Sequence, residues 1–225
     1  MQLTSWSIIF KSLYRVFSLR HSLVLALLAF IATGAYNYIE TIIPIFTVQA
    51  LGWTDQAYSQ FQASATLIGG MAGMLIGGML LDKFGKIRMM NIYFFLMITL
   101  TTALAFLNMF WTHSWFISSF MIVYQVLYVF ASIGLFVIAM QCCWKKVSAS
   151  QFTLYMTISN LGRIAGAKLI GPVKNQLSWE YTLFLFALMI ALSWIIIQFI
   201  RINYHVKKVA DLENKDAVNR IPALT

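Results

Sequence analysis

The sequence predicts an all-α integral membrane protein of six transmembrane helices arranged as a three-plus-three repeat. Three observations predict it. The 225 residues are 60% hydrophobic and 10% charged, with a mean hydropathy of +0.78, whereas a soluble domain is roughly half apolar and about a quarter charged. Six apolar runs, at 22–47, 57–81, 89–110, 116–141, 151–173 and 179–200, each reach the ~20 residues that a spanning helix needs. None shows the alternating polarity of the strands of about 10 residues in a membrane barrel.

Residues 1–21 precede the first span. Trp6, Ile9, Phe10, Leu13 and Phe17 recur at helical spacing, with Lys11, Arg15 and Ser18 opposite, the pattern of an amphipathic helix lying in the membrane interface. An unstructured basic leader is the alternative. The segment lacks the long apolar core and small-residue cleavage site of a signal peptide.

In the first span, Tyr36, Asn37, Glu40 and Thr41 share one helical face, and Pro44 cannot donate a hydrogen bond to the carbonyl of Glu40. A helix weakened and polar at one place fits the wall of a substrate cavity; a plain proline kink with a paired Glu fits as well. The second span carries Gly69, Gly73 and Gly77 at four-residue intervals, and the fifth carries Gly162, Gly166 and Gly171 before Pro172. Such stripes let another helix backbone come close. Their position in the second helix of each triplet is what suggests the internal repeat, although tight packing explains each stripe separately.

The fourth span places Tyr124, Gln125, Tyr128 and Ser132 where they suit either hydrogen bonding to a polar solute or ordinary helix packing. The fifth holds Arg163 and Lys168, and with Glu40 these are ionisable groups inside apolar runs. Each costs about 2.5–3.5 kcal/mol at a helix centre, so each needs a reason. At about 1.5 Å per residue, Lys168 matches the depth of Glu40 while Arg163 lies roughly 7 Å nearer the middle. The two cations are also about 140° apart around their helix. The depth match pairs Glu40 with Lys168 and leaves Arg163 for something anionic. Candidate solute-binding or coupling residues are therefore Asn37, Glu40, Tyr124, Gln125, Tyr128, Asn160, Arg163 and Lys168.

Lys and Arg number 16 against 7 Asp and Glu, a formal charge of +9. In a soluble protein this would suggest nucleic acid, but the cations sit between spans. Lys11, Arg15 and Arg20 precede the first; Lys83, Lys86 and Arg88 lie between the second and third; Lys145 and Lys146 lie between the fourth and fifth; Arg201, Lys207, Lys208, Lys215 and Arg220 follow the sixth. The opposite loops offer Lys174 alone, so the positive-inside bias predicts cytoplasmic termini in the inner or plasma membrane. Residues 204–225 read as a short, polar, mobile cytoplasmic tail. Cys142 and Cys143, the two cysteines, lie at the cytoplasmic end of the fourth span and read as passive thiols.

The run "GGMLLDKFGKIRMM", Gly77 to Met90, concentrates charge between the second and third spans. Its pattern of Gly78, Asp82, Lys83, Gly85, Lys86 and Arg88 resembles the loop between the second and third helices of a major facilitator superfamily half, with Ile87 where many members carry another cation. The segments "SLRHSLVLALLAF", "LGWTDQAYSQ" and "SNLGRIAGAKLIGP" extend the resemblance over the whole chain. They look most like the carboxy-terminal half in the branch of muropeptide permeases and acetyl-CoA transporters. The resemblance implies half of a major facilitator fold, in which an Asp at this position latches one half against the other and releases on rocking. Asp82 as a topology anchor is the alternative. From its own chemistry, Asp82 sits at a helix C-terminus that is already negative, so it should seek Arg88 or the positive N-terminus of a neighbouring helix.

No nucleophilic triad, carboxylate pair or phosphate loop is visible, and His21, His113 and His205 lie near different membrane surfaces. Catalysis, a cofactor, a metal and nucleic acid are not expected. The reading is half of a secondary active transporter moving a small polar, anionic solute by alternating access, possible proton coupling resting on Glu40. It needs the bilayer and a second six-helix half, supplied by another chain or a second copy. A non-transporting subunit or a truncated remnant is the rival.

Overall fold

The computed structural model describes residues 6–218, with side-chain surroundings for 9–214. Helix α1 (Trp6–Phe17) precedes α2 (Arg20–Gln49), and α3 (Asp55–Ala72) runs through a π-helical segment, Gly73–Gly77, into α4 (Gly78–Phe84). Then come α5 (Lys86–Phe106), α6 (Ser114–Gln141), α7 (Ser148–Lys168), α8 (Ile170–Gln176), α9 (Trp179–Ile197) and α10 (Ile202–Val218). The expected leader is thus helical from Trp6, and residues 1–5 lie outside the described part.

Among the described residues, five helices are long and apolar enough to cross a membrane: α2, the continuous α3–α4 rod, α5, α6 and α9. The fifth expected span, 151–173, differs. Its polar residues Gln151, Thr153, Thr157, Ser159, Asn160, Arg163 and Lys168 lower its apolarity, and it breaks at Leu169. Pro172 accounts for the break, because it has no N–H to offer the Lys168 carbonyl. Packed lengthwise on α2, α7 still completes a bundle of six rods.

The packing has the symmetry that a repeat demands. Let the triplets be α2, α3–α4, α5 and α6, α7–α8, α9. The second helix of each packs on the first of the other, α3 on α6 and α7 on α2; the third helices, α5 and α9, pack together; and α2 meets α9 as α6 meets α5. Exchanging the triplets leaves this pattern unchanged, as expected for repeats related by a pseudo-two-fold axis.

Both glycine stripes serve these internal seams. A Cβ on Gly69 would stand 3.0 Å from the Gln125 side chain, one on Gly73 would collide with Val129, and one on Gly77 would come within 2.9 Å of Ile133. On α7, a Cβ at Gly162 would strike the carbonyl of Phe30, and one at Gly166 the carbonyl of Gly34. Where lipid gives no hydrophobic drive between helices, such close approach is what holds them.

Beneath one end of the bundle, α1, the turn after α6 and α10 form a collar. Val16, Trp144, Val147 and Val209 are its buried core. Gln151 closes the turn by accepting from the Trp144 N–H at 2.7 Å and donating to the Cys142 carbonyl at 3.1 Å. The tail expected to be mobile is therefore helical through Val218, because His205 and Val209 are buried in the collar. Burial pushes the Cys142 thiol up to about 12 and the Cys143 thiol to about 11, so both stay protonated at neutral pH, in keeping with a passive role.

Candidate functional site

Helix α2 supplies the axis of the candidate site. It runs unbroken through Pro44, so the proline is accommodated without ending the helix. Thr33, Asn37 and Glu40 recur every three or four residues on the face that meets α7. The Thr33 hydroxyl donates to the Ser159 carbonyl at 2.7 Å, and the Asn37 amide donates to the Arg163 carbonyl at 2.9 Å. These two bonds fix α7 against α2 in depth and rotation.

So registered, Arg163 reaches Glu40. Its Nη2 lies 3.6 Å from Oε2, with the two side chains 48% and 29% exposed. This corrects the expected Glu40–Lys168 pairing. Depth along the axis favoured Lys168, but rotation decides. Relative to the seam marked by Ser159, Gly162 and Gly166, helical geometry turns Arg163 by about 70° and Lys168 by about 150°. Lys168 is exposed on the far side and makes no ion pair or hydrogen bond among the described residues.

Helix α6 forms the third wall. Tyr128 packs edge-on against Tyr36 with ring centroids 5.1 Å apart, and Tyr124 stacks along the same face at 6.3 Å from Tyr128. Tyr128 also neighbours Glu40 and Ser132. Between the walls lies a space of about 90 Å³ lined by Thr33, Tyr36, Tyr128, Ser132, Ser159, Asn160 and Arg163 among others. The hydroxyls of Tyr36, Tyr124 and Ser159 are buried without a hydrogen-bond partner among the described residues. Gln125 does not join them: it is buried against Gly69 of α3, one residue and about 100° from Tyr124. Sequence reading passed over Thr33 and Ser159 as site residues, although the 33, 37, 40 spacing on α2 carried the signal.

The charged loop is separate from this space. Gly85 joins α4 to α5 with φ 88° and ψ 136°, a conformation open to glycine and strained for other residues. Nothing lies within 4 Å of where its Cβ would be, so the dihedral alone requires glycine. Asp82, Gly85, Lys86 and Arg88 line a cavity of about 870 Å³ with Gln141 and Arg201. Asp82 is exposed, and neither expected partner is present. It makes no ion pair or hydrogen bond with Arg88, a helix N-terminus or any other group among the described residues. The Lys83 ammonium lies 5.5 Å from the Phe84 ring, and Gly78 faces open space.

The family model described as Major Facilitator Superfamily matches residues 2–167, from α1 through almost all of α7. The chain belongs to the major facilitator superfamily. Its membership and its apolar helices make it a multi-pass membrane protein of transporter type, and they point to a small molecule as what it handles and to transport rather than catalysis. No curated protein matches the chain. As a superfamily member, it has a Glu40–Arg163 pair and, among the described residues, two unpartnered hydroxyls, those of Tyr36 and Ser159, at the space where α2, α6 and α7 meet.

Proposed function

We propose that the chain is one half, in sequence most like a carboxy-terminal half, of a secondary active transporter for a small anionic solute. The branch of muropeptide permeases and acetyl-CoA transporters is the one its segments most resemble. The observation that carries the reading is the Glu40–Arg163 pair. Both side chains are partly open, Glu40 lies inside an apolar membrane-length helix and Arg163 on the rod packed along it, and Arg163 borders a space with buried unpaired hydroxyls. A buried polar group without a partner costs roughly 1–3 kcal/mol, so these hydroxyls gain from a ligand. An anionic solute competes with Glu40 for Arg163, and protonating Glu40 releases the guanidinium to it. That exchange couples proton and solute at one site.

A space of about 90 Å³ is well below the ~300–1,000 Å³ of an ordinary ligand pocket. A second six-helix half supplies the facing wall. Asp82, exposed and without a partner among the described residues, is the latch toward that half, on the cytoplasmic side with both termini. The experiment is uptake into proteoliposomes holding the chain with its second half, using labelled carboxylates, phosphate esters and acidic sugars under an imposed pH gradient. The expected result is saturable uptake of one anionic class, lost in Arg163→Gln. Glu40→Gln is expected to keep exchange while losing gradient-driven accumulation, and Asp82→Asn to slow both. A folded assembly that moves none of these solutes would leave the non-transporting subunit as the reading.

A further inference from the structure

The collar holds a second polar cavity, of about 580 Å³, between the start of α2 and the junction of α9 with α10. Arg20, His21, Arg201, Tyr204, His205 and Lys208 border it, and no Asp or Glu is among its lining residues. Arg20 and Arg201 have no ion pair among the described residues, and the Lys208 ammonium meets only the Tyr204 ring, at 5.7 Å. Three uncompensated cations converging on one hollow repel each other, so the arrangement gains from an anion placed between them.

A second observation comes from His205, which is 1% exposed. Its Nε2 lies 2.9 Å from the Cys142 carbonyl. Because a carbonyl only accepts, Nε2 carries the proton. Burial pushes the His205 pKa down, with the Cys142 bond opposing, so the neutral ring leaves Nδ1 as a lone-pair acceptor. That atom is buried and has no partner. The cavity therefore offers three cations for a phosphate, with the buried and unpartnered His205 ring in its wall.

We infer that this cavity binds the phosphate-bearing headgroup of an anionic phospholipid from the leaflet on the side of the chain termini. Free phosphate shares the chemistry, but the position favours lipid. The cavity opens where α2 enters and α9 leaves the membrane, and Phe199, 54% exposed, lines it beside the cations. An aromatic ring at that level suits the boundary between headgroups and acyl chains, and basic pockets between helices at this height are where anionic headgroups bind. A bound headgroup would tie α10 to the foot of α2.

The test uses the purified full chain in mixed micelles and reads lipid retention by native mass spectrometry together with the unfolding midpoint. Phosphatidylglycerol should be retained and should raise the midpoint, while phosphatidylcholine and inorganic phosphate at the same concentration should do neither. Each cation near an anionic membrane surface strengthens attraction about fivefold, so Arg20→Gln, Arg201→Gln and Lys208→Gln together should weaken retention on the order of a hundredfold. Lys11→Gln, Lys145→Gln and Lys207→Gln together remove the same charge at the same end and should weaken it far less. If the first triple variant does not fold, exposed Lys208→Gln alone should still show the roughly fivefold loss. Equal losses in the two triple variants, no loss in Lys208→Gln, or stabilisation by inorganic phosphate to the same extent would each overturn the lipid site.

Discussion

Removing either member of the Glu40–Arg163 pair strands the other charge at the seam between α2 and α7. Breaking a fully buried pair costs about 3–5 kcal/mol. Here solvent reaches both side chains, so the loss should be nearer 1 kcal/mol. Glu40→Gln and Arg163→Gln should each lower the unfolding midpoint of the purified chain, and the double variant should recover part of it. Lys168→Met should leave the midpoint unchanged, since Lys168 has no partner among the described residues. Recovery of Glu40→Gln by Lys168→Met instead would restore the pairing that depth alone suggests. All three charges were legible in the sequence as a site, because charge inside an apolar run is conspicuous. Their pairing was not, because rotation of α7 is set by Gly162 and Gly166 seating on the backbone of α2 and by the Thr33 and Asn37 bonds. Those are contacts more than 120 residues apart in sequence.

At the scale of the element, glycine spacing was readable but its direction was not. Gly70 lies next to the Gly69–Gly73–Gly77 stripe and faces open space, whereas Gly166 touches the backbone of Gly34. Gly166→Ala should therefore push α7 off α2 and cost about 1–3 kcal/mol. Gly70→Ala should be neutral, or more stable by up to about 1 kcal/mol, because alanine is the better helix former. Melting curves for the two variants in the same detergent decide this; equal effects would mean that Gly166 is not at a backbone seam. The apolar helices α2, α5, α6 and α9 were legible because length and hydropathy act locally. Helix α10 was not, because its polar sequence acquires a reason to fold only from Val16, Trp144 and Val147 of the collar. The break at Leu169 lay between, announced by Pro172 but not located by it. For the orientation, charge is the guide: Lys86, Arg88, Arg20, Arg201 and Lys208 gather at one end around adjoining cavities. Cysteine labelling from outside intact cells should therefore modify Thr54→Cys and spare Lys86→Cys; the reverse pattern would invert the topology.

Across the whole molecule, the α3–α4 rod is the least covered of the five apolar spans, 28% buried over its most apolar window against 44–56% for the others. Its outward face carries Leu67, Met71, Met74, Leu75 and Met79, all more than half exposed. Gly70 and Gly78 interrupt that face with open space, so it is both apolar and low in relief. Lipid alone would accept such a surface. One feature favours the proposed second six-helix half instead: Asp82, at the foot of the same rod, has no partner among the described residues. Met is also adaptable enough to repack against a partner that shifts during a transport cycle. Met74→Cys, at 79% exposure, should then form a disulfide or a short bifunctional cross-link to the second half in native membranes. Leu188→Cys on α9, 65% exposed and in the third helix of its triplet, should face lipid and give none. Gly70→Trp should abolish the Met74 cross-link while leaving the fold of the chain intact, because a bulky ring there meets no neighbour within the bundle. Cross-linking at Leu188 but not at Met74 would move the interface to the other side of the bundle. Absence at both positions would leave this rod facing lipid and the cavity wall to be sought elsewhere.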